Sequence, residues 1–271
     1  MTRKDQDIAA AVVLYNPKDD DLDRLQASIG GTIEVIVVDN SEPQLEPEKS
    51  ISWISMAENK GVAAALNAAA ARARDEGYDW LLTLDQDTDV PEETLIDYVT
   101  QALKLPDLDQ VAVIAPNLGD GESSNEIEET FLVMTSASLI NLSIWRTLSG
   151  FEEDLFVDEV DHEYCLRAKS QGYHVIRMGN VLVPHKPGET RTVAGGKEVD
   201  WHPPQRLYYL ARNYWYLKRK YARRFPSVIA GRKRLVAAKY KAYLRYHPNK
   251  LRSLWALTRG TLDGFLGNYG R

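Results

Sequence analysis

The stretch WLLTLDQDT, residues 80–88, is the most informative part of this sequence because a buried strand runs directly into acidic side chains. Its first five residues are apolar or β-branched, which predicts a strand that is covered on both faces. The carboxylates of Asp85 and Asp87 follow where that strand ends. Polar groups in this position are typical of the ligand-binding edge of an α/β sheet.

Three apolar runs precede this stretch, each with polar residues at its end or within a few positions after it. They lie at residues 8–15, 34–39 and 51–56. Helical patterns lie between the strands, at about residues 19–30 and at residues 62–76, and Gly77 caps the second helix. Alternating strands and helices predict a mostly parallel central sheet flanked by helices.

The remaining chain continues this alternation and then becomes helical. The predicted elements are a helix at 92–105, a strand at 111–115, an acidic loop at 119–129, a strand at 131–140, a helix at 141–148, a helix that ends at Gly172, two short strands at 174–178 and 181–185, and a mobile loop at 186–200. From Pro204 onward the pattern is helical, with interruptions near Pro226 and Pro248.

The charge of the chain is divided between two parts of opposite sign. Residues 204–271 contain 17 basic residues and one acidic residue, whereas residues 1–203 contain 16 basic and 38 acidic residues. We predict a catalytic domain at 1–203 and a basic, aromatic-rich helical region at 204–271. Basic helices with aromatic side chains favour an anionic membrane surface. Packing in a homo-oligomer or against the acidic part is an alternative, and nucleic acid is the least favoured partner.

Composition also indicates where the protein acts. The sequence has no apolar run of about 18 residues, so we expect no membrane-spanning helix. Its first ten residues lack the basic and apolar regions of a signal peptide. The single cysteine, Cys165, excludes an intrachain disulfide and is predicted to be a small core residue. We therefore expect a cytoplasmic protein, peripheral at the inner face of the cell membrane.

Asp85 and Asp87 have a spacing that suits a divalent metal ion. Carboxylates at the end of a strand present the hard oxygen ligands that Mg²⁺ and Mn²⁺ prefer, and these ions add water and phosphate oxygens. Such an ion would neutralise a diphosphate leaving group. The alternative is structural, with Asp87 and Asp89 capping the helix that begins near Pro91.

A second acidic cluster lies in FVDEVDHEYCLR, residues 156–167. Transfer of a group to a hydroxyl needs a base that accepts the acceptor proton, and a carboxylate at the start of a helix can serve. Asp161 lies at the buried start of the predicted helix. Acidic residues in a first helical turn also favour the helix dipole without any catalytic role, and the residues alone leave both interpretations open.

Seven motifs occur in one order: AAVVLYNP, VIVVDNS, ENKGVAAALNAA, LLTLDQDT, TSASLI, GFEEDLFVDEVDHEYCLRAKSQGY and VPHKPGE. The set resembles glycosyltransferase family 2, which has the GT-A nucleotide-diphospho-sugar transferase fold. Within that family it is similar to the bacterial rhamnosyltransferases, for which LDQD and F-x-D-x-V-D-x-E-x-C-L-R are characteristic. The resemblance covers roughly residues 8–220 and implies an inverting, metal-dependent hexosyltransferase.

The resemblance also implies roles for individual residues. On the donor side these are Tyr15 and Asp39 at the nucleotide base, Asn59, Lys60 and Gly61 along the nucleotide sugar, Asp85 near the ribose or sugar, and Arg212 at the diphosphate. The metal ligands would be Asp87 and His185, holding Mn²⁺ or Mg²⁺, and the loop after His185 would close over the donor. Asp161 would be the catalytic base, with Asp158 and Glu159 as candidate acceptor-side residues.

Two departures from the family pattern affect the acceptor side. Val160 precedes Asp161 where many members have Glu-Asp, so the base assignment depends on the rhamnosyltransferase pattern alone. Ala137-Ser138 replaces the usual Gly-Ser pair, which implies a reshaped acceptor pocket.

The implied function is transfer of L-rhamnose from dTDP-L-rhamnose to a hydroxyl of a lipid-linked or polysaccharide acceptor in cell-surface glycan synthesis. UDP-galactofuranose, UDP-glucose and UDP-galactose are the alternative donors. A nucleotidyltransferase is disfavoured because residues 15–17, Tyr-Asn-Pro, are not a glycine-rich basic phosphate loop. A non-catalytic, membrane-associated subunit that binds sugar nucleotides is the alternative from another class.

Overall fold

The computed structural model describes residues 8–17, 33–45, 52–88, 90–119, 126–183, 190–193, 197–200, 203–247 and 249–270. The chain forms two compact units, the first from Met1–Glu152 and Tyr164–His185, the second from Glu153–Glu163 and Lys186–Arg271. The second unit therefore includes a segment that a division at residue 203 assigns to the catalytic domain. The helix predicted at 19–30 lies outside the described residues.

The first unit contains one eight-stranded sheet. Its strands are β1 (Ile8–Leu14), β2 (Glu34–Asp39), β3 (Ser52–Ser55), β4 (Trp80–Asp85), β5 (Val111–Asn117), β6 (Ile127–Glu129), β7 (Ser138–Asn141) and β8 (His174–Leu182). Its helices are α1 (Val62–Asp75), α2 (Glu92–Ala102), α3 (Leu142–Thr147) and the larger part of α4 (Val160–Ser170).

The strand order is β3-β2-β1-β4-β7-β5-β8-β6. Strand β1 pairs in parallel with β2 and β4, β2 with β3, and β5 with β8. Strand β7 is antiparallel to β4 and β5, and β6 is antiparallel to β8. The predicted mostly parallel sheet with flanking helices is confirmed, with β6 and β7 as its antiparallel members.

Small side chains allow α1 to lie close to the middle of the sheet. Residues 9–12 of β1 are completely buried, and so are Ala63, Ala65 and Ala69 of α1. The helix packs against β1, β2 and β4. Cys165 of α4 is also buried, as predicted for a small core residue.

Four local predictions were wrong. Residues 127–129 form strand β6 instead of a loop because they pair with β8. The strand predicted at 131–140 is interrupted by a turn, closed by the bond from Ser138 N to Thr135 O, and only its end forms β7. The two strands predicted at 174–185 are one, because a register shift opposite residues 116–117 accommodates the break. The loop predicted at 186–200 contains a hairpin, β9 (Thr190–Val193) and β10 (Lys197–Asp200).

The second unit contains three helices besides this hairpin. They are α5 (Pro204–Tyr221), α6 (Pro226–Tyr246) and α7 (Lys250–Leu266), so the helical prediction for the C-terminal region is confirmed. Helix α7 approaches α5 closely through glycines. An added Cβ on Gly260 or Gly264 would collide with the backbone carbonyl of Tyr208 or Arg212. In the part of the chain that is described, no helix is long and apolar enough to cross a membrane.

Candidate active site

The carboxyl ends of β1, β2 and β4 meet at one edge of the sheet. Leu14 lies opposite Asp39, and Val13 lies opposite Asp85. Strand β1 lies between the other two, so the polar residues that follow the three strands share this edge. We call it the carboxyl edge, and it contains Tyr15, Asp39, Asn40, Asp85, Gln86 and Asp87.

Asp39 is fully buried at the end of β2. One carboxylate oxygen accepts the backbone N–H of Ser41 at 2.9 Å, and the other accepts that of Leu45 at 2.7 Å. The hydroxyl of Ser41 in turn accepts the N–H of Asn16 at 2.9 Å. These bonds order the loops after β1 and β2, and the contact of Asp39 with a nucleotide base stays a prediction.

A pair of asparagine side chains fixes the segment that precedes α1. Asn40 donates to the side-chain oxygen of Asn59 at 3.0 Å, and the same oxygen accepts the N–H of Gly61 at 3.0 Å. The side-chain oxygen of Asn40 accepts the N–H of Lys60 at 2.8 Å. Residues 59–61 are thereby joined to the end of β2. Asn40 follows a predicted strand end, but no role was predicted for it, and the structure makes it a positioning residue.

Gly61 has a conformation that only glycine adopts easily, with φ 85° and ψ 163°. In the described part of the chain no side-chain hydrogen bond caps α1 there, and the first turn contains no acidic residue. The positive end of the helix dipole therefore faces no negative side chain of its own first turn. This arrangement suits an anionic ligand at the start of α1.

Asp85, Gln86 and Asp87 form a tight turn after β4. The N–H of Thr88 donates to the carbonyl of Asp85 at 3.0 Å, and Gln86 accepts the N–H of Tyr15 at 2.8 Å. Asp85 is half-buried and Asp87 is exposed. Helix α2 begins after Pro91 without a side-chain cap among the residues described. The described contacts therefore do not support the capping role for Asp87.

The turn at Asp87 fits a divalent metal in part. The exposed carboxylate is a hard oxygen ligand, and Mg²⁺ or Mn²⁺ often binds one or two such ligands together with phosphate and water. Within the described ranges, no group of three or more His, Cys, Asp or Glu residues could hold a metal ion. His185, the other predicted ligand, lies outside those ranges.

The acidic segment of the second unit, residues 153–163, has an unusual backbone. Phe156, Asp158 and Glu159 have φ values of 65°, 60° and 65°, which non-glycine residues seldom adopt. Left-handed residues of this kind cost about 1–3 kcal/mol each and persist where neighbouring groups hold them. The segment is therefore held in place by other parts of the unit.

Two adjacent residues of α5, Arg212 and Asn213, hold the acidic segment in place. The side-chain amide of Asn213 donates to the carbonyls of Leu155, Val157 and Asp158 at 2.9, 2.8 and 2.8 Å. Arg212 is 1% exposed, and its guanidinium donates to the carbonyls of residues 154, 155 and 269. The diphosphate contact predicted for Arg212 stays a prediction, but these contacts favour a structural role.

Glu159 is a buried ion-pair partner. Its side chain is 0% exposed and accepts hydrogen bonds from Arg232 of α6 and from His162 Nδ1, at 3.0 Å for the latter. Burial alone would raise the pKa of Glu159, but the charges and hydrogen bonds of His162 and Arg232 outweigh it and lower the pKa to about 2. A carboxylate so occupied is a poor candidate for the acceptor-side role predicted for it.

Asp161 is the most accessible of the acidic residues at 158–163, with 20% of its side chain exposed. It lies in the first turn of α4, and its Oδ1 accepts the N–H of His162 at 2.8 Å. Burial lowers the pKa of His162, but the negative charges of Asp161 and Glu159 raise it above the ordinary value. Asp161 therefore has an accessible carboxylate and a fixed orientation.

Asp158 is 15% exposed and accepts hydrogen bonds from Nε of Arg206, at 3.0 and 3.3 Å to its two oxygens. Burial raises the pKa of Asp158, and the charge of Arg206 only partly offsets this. Asp158 stays a candidate acceptor-side residue. Asp161 is the more exposed of the two carboxylates, and no arginine engages it among the contacts described.

Glu163, another residue without a predicted role, is fully buried. It accepts hydrogen bonds from Lys220 Nζ at 2.9 Å and from the Tyr221 hydroxyl at 2.6 Å. The sequence contains an acidic cluster and a basic, aromatic-rich α5, which indicates that the two could interact. It does not indicate which residues pair, because Glu163 is separated from Lys220 and Tyr221 by 57–58 residues of chain. Glu163 anchors the start of α4 to α5.

The sheet and its carboxyl edge have the architecture of the GT-A fold. The chain belongs to glycosyltransferase family 2, whose model matches residues 12–151. The predicted family and fold are thereby confirmed. In the curated proteins, the dTDP-rhamnosyl transferase RfbF of Shigella flexneri is 24% identical over 295 residues, with 97% of both chains covered.

One solved structure, that of GalNAc-T7, shares the architecture at low sequence identity. GalNAc-T7, crystallised with UDP, GalNAc and Mn²⁺, has a TM-score of 0.50 and 11% identity, covering 66% of this chain and 43% of its own. S. aureus TarS 1–349 in complex with UDP-GlcNAc has a TM-score of 0.48 and 14% identity, covering 96% and 73%. At these identities the likeness to GalNAc-T7 concerns the fold alone.

Proposed function

We propose that the protein is an inverting rhamnosyltransferase that moves L-rhamnose from dTDP-L-rhamnose to a hydroxyl of a lipid-linked or polysaccharide acceptor. The observation that carries this proposal is the similarity to a dTDP-rhamnosyl transferase over 97% of both chains. A donor such as UDP-galactofuranose, UDP-glucose or UDP-galactose is the alternative, because the described residues of the carboxyl edge do not select a sugar by themselves.

In the proposed reaction, Asp161 accepts the proton of the acceptor hydroxyl while that oxygen attacks the anomeric carbon. The bond from the anomeric carbon to the nucleotide diphosphate breaks, and its electron pair leaves with the diphosphate. Asp39 and Tyr15 bind the base, residues 59–61 border the sugar nucleotide, and Asp85 lies near the ribose or sugar. Asp87 and His185 would hold a divalent ion, and this ion would neutralise charge on the departing diphosphate.

Two features of the first unit support an anionic donor at the carboxyl edge. Residues 59–61 lead into α1, whose positive end is not neutralised within its own first turn. The carboxylate of Asp87 is exposed at the same edge and presents oxygen to a cation. A diphosphate with its metal ion is the ligand chemistry that fits both features.

Calorimetric titration of purified protein with dTDP-rhamnose, UDP-glucose and UDP-galactofuranose, with and without Mn²⁺, tests donor and metal together. We expect metal-dependent binding of dTDP-rhamnose, and we expect Asp87→Ala to weaken it about tenfold or more because a metal ligand is lost. Asp97→Ala, an acidic residue of α2, is the matched control and leaves binding unchanged. Metal-dependent binding of a UDP-sugar alone rejects rhamnose, and equal binding by Asp87→Ala and wild type rejects the metal role.

We also propose that α7 contacts an anionic membrane surface. Its exposed apolar residues follow helical spacing along one face, which we call the apolar stripe: Leu251, Leu254, Trp255, Leu262, Phe265 and Leu266. The small or apolar residues that are buried, among them Ala256, Gly260 and Gly264, lie on the opposite face. An exposed apolar stripe on a basic helix is the pattern of an interfacial helix.

Sedimentation with vesicles of phosphatidylglycerol and phosphatidylcholine tests this surface. We expect the double variant Leu262→Ser, Leu266→Ser to bind about tenfold less than wild type, because two leucines no longer enter the interface. Leu235→Ser with Leu244→Ser, which alters exposed leucines of α6, is the control and binds like wild type. Equal sedimentation of all three proteins contradicts the membrane role of the stripe.

A further inference from the structure

A cavity of about 670 Å³ opens on the C-terminal helices, between α5 and α7. Its walls include the rings of Tyr208, Tyr209 and Trp255, and its basic side chains are Arg212, Arg252 and Arg259. Among the described residues that line it, none is acidic. Small-molecule sites usually have volumes of about 300–1,000 Å³, so the cavity has the size of a ligand site.

The aromatic walls are held in place by the arginines. The guanidinium of Arg259 lies 5.2 Å from the ring centre of Trp255 and 5.7 Å from that of Tyr208. That of Arg212 lies 4.8 Å from the ring centre of Tyr209. The hydroxyl of Tyr208 donates to Asp263 at 2.9 Å, which fixes its ring from the outer side. The rings are therefore oriented before any ligand arrives, which lowers the entropy cost of binding.

The lining residues select a ligand with one apolar face and one negative charge. Trp255 is 63% exposed, so its ring can cover the flat C–H face of a pyranose. Arg252 is exposed at the same wall, and a guanidinium binds phosphate through two parallel hydrogen bonds. A sugar ring that carries a phosphate satisfies both groups. Arg259 already forms an ion pair with Asp263 at 3.6 Å, so Arg252 is the side chain that selects the phosphate.

The apolar stripe indicates how such a ligand would be presented. Trp255 belongs both to the stripe and to the cavity wall, so the opening lies next to the surface proposed to meet the membrane. A lipid held in that membrane would bring its phosphate-linked sugar to the cavity from the side of the stripe. Both the free and the lipid-borne forms share the chemistry of a pyranosyl phosphate.

From these observations we infer that the cavity between α5 and α7 binds a pyranosyl phosphate, the phosphate-linked sugar of the acceptor. The acceptor role rests on the proposed transferase function, whereas the binding site is defined by the cavity itself. Tyr208, Tyr209 and Trp255 cover the sugar ring, and Arg252 binds the phosphate, while Arg259 is held by Asp263.

Ligand-observed NMR with glucose 1-phosphate, galactose 1-phosphate and N-acetylglucosamine 1-phosphate tests the site, in the presence of dTDP and UDP to fill the donor edge. We expect wild type to bind at least one of them, and Trp255→Ala and Arg252→Ala each to weaken binding about tenfold or more. Both side chains are exposed, so folding is preserved. Leu244→Ala and Arg234→Ala, exposed residues outside the cavity and the apolar stripe, are the matched controls and retain wild-type binding.

A second experiment distinguishes a lipid-linked pyranosyl phosphate from a soluble one. Phosphatidylcholine vesicles with and without polyprenyl glucosyl phosphate are sedimented with the same variants. If Trp255→Ala and Arg252→Ala lose this lipid-dependent binding, the site binds a lipid headgroup. If these variants lose binding only in the NMR experiment, the site binds a soluble sugar phosphate. If wild type binds in neither experiment, or if both variants bind like wild type, the inference is wrong.

The same samples are titrated with dTDP-rhamnose and Mn²⁺, which separates this inference from the proposed function. Normal donor binding together with a failed cavity test rejects the acceptor site alone. Absent donor binding in wild type together with a successful cavity test rejects the proposed donor and leaves the pyranosyl phosphate site standing.

Discussion

Asp161→Asn is expected to lower the rate of sugar transfer about 10²- to 10⁴-fold while the affinity for the donor stays within about twofold of wild type. The amide keeps the size of the side chain and still accepts the N–H of His162, a bond of 2.8 Å in the wild type. It cannot accept the proton of the acceptor hydroxyl. The measurement is the single-turnover transfer rate at saturating donor, with donor affinity from calorimetry on the same samples.

Asp158→Asn is the matched control because Asp158 is the other partly exposed carboxylate of the segment. Its oxygens are engaged by Arg206, so we expect transfer to fall by less than about tenfold. A reversed pattern, in which Asp158→Asn abolishes transfer and Asp161→Asn does not, would assign the base to Asp158. Loss of donor binding by Asp161→Asn would refute its role as the base.

Arg232→Met is expected to destabilise the protein by about 3 kcal/mol, the low end of the range for breaking a buried ion pair, because the buried carboxylate of Glu159 loses one of its two cationic partners and keeps His162. Glu159 is 0% exposed and Arg232 is 16% exposed, so water cannot readily replace the lost partner. For a chain of this size the loss corresponds to a decrease in Tm of about 6–12 °C. Differential scanning fluorimetry at neutral pH measures it.

The matched control is Arg234→Met, which alters an exposed arginine of the same helix and shifts Tm by about 1 °C or less. A second control adds Glu159→Gln to Arg232→Met. Removing the buried charge is expected to restore part of the lost stability. If Arg232→Met and Arg234→Met have the same Tm, the buried ion pair does not support the second unit.

The stability that Arg232→Met loses is expected to depend on pH, in a direction set by the pKa of Glu159. The wild-type pKa of Glu159 is about 2, below its ordinary value of 4.5. Its contribution to stability is therefore fully present above pH 4.5 and is lost as the pH falls through about 2. Without Arg232 only His162 opposes the effect of burial, so the pKa of Glu159 lies higher than in the wild type. We expect the Tm difference between wild type and Arg232→Met to be smaller at pH 4 than at pH 7.

The first unit was largely predictable from sequence because its signals are local. The apolar runs that end at Leu14, Asp39 and Asp85 form β1, β2 and β4 within one residue of the predicted bounds. Parallel pairing then places their following residues at one edge, as predicted. What the sequence did not indicate was the pairing of Asn40 with residues 59–61, because amide side chains give no signal for the direction of their hydrogen bonds.

The contacts of the acidic residues in the second unit could not be predicted from the sequence. Asp158, Glu159 and Asp161 look equivalent in sequence, yet their surroundings differ because their partners come from distant residues. Arg232 lies 73 residues after Glu159, and Asn213 lies 55 residues after Asp158. Neither partner has a spacing that a periodic pattern detects. The left-handed backbone of Phe156, Asp158 and Glu159 could not be predicted either, because this conformation is expected mainly for glycine and asparagine.

The dependence of the acidic segment on α5 and α6 limits how the chain can be divided. A protein shortened at residue 203 would lack Asn213, Arg206 and Arg232, and the segment would lose the groups that bind its carbonyls and carboxylates. The C-terminal helices are therefore not exchangeable between relatives as an independent module. A chimera that takes new C-terminal helices must also take residues 153–163 from the same parent, so that the candidate base and its supports are inherited together.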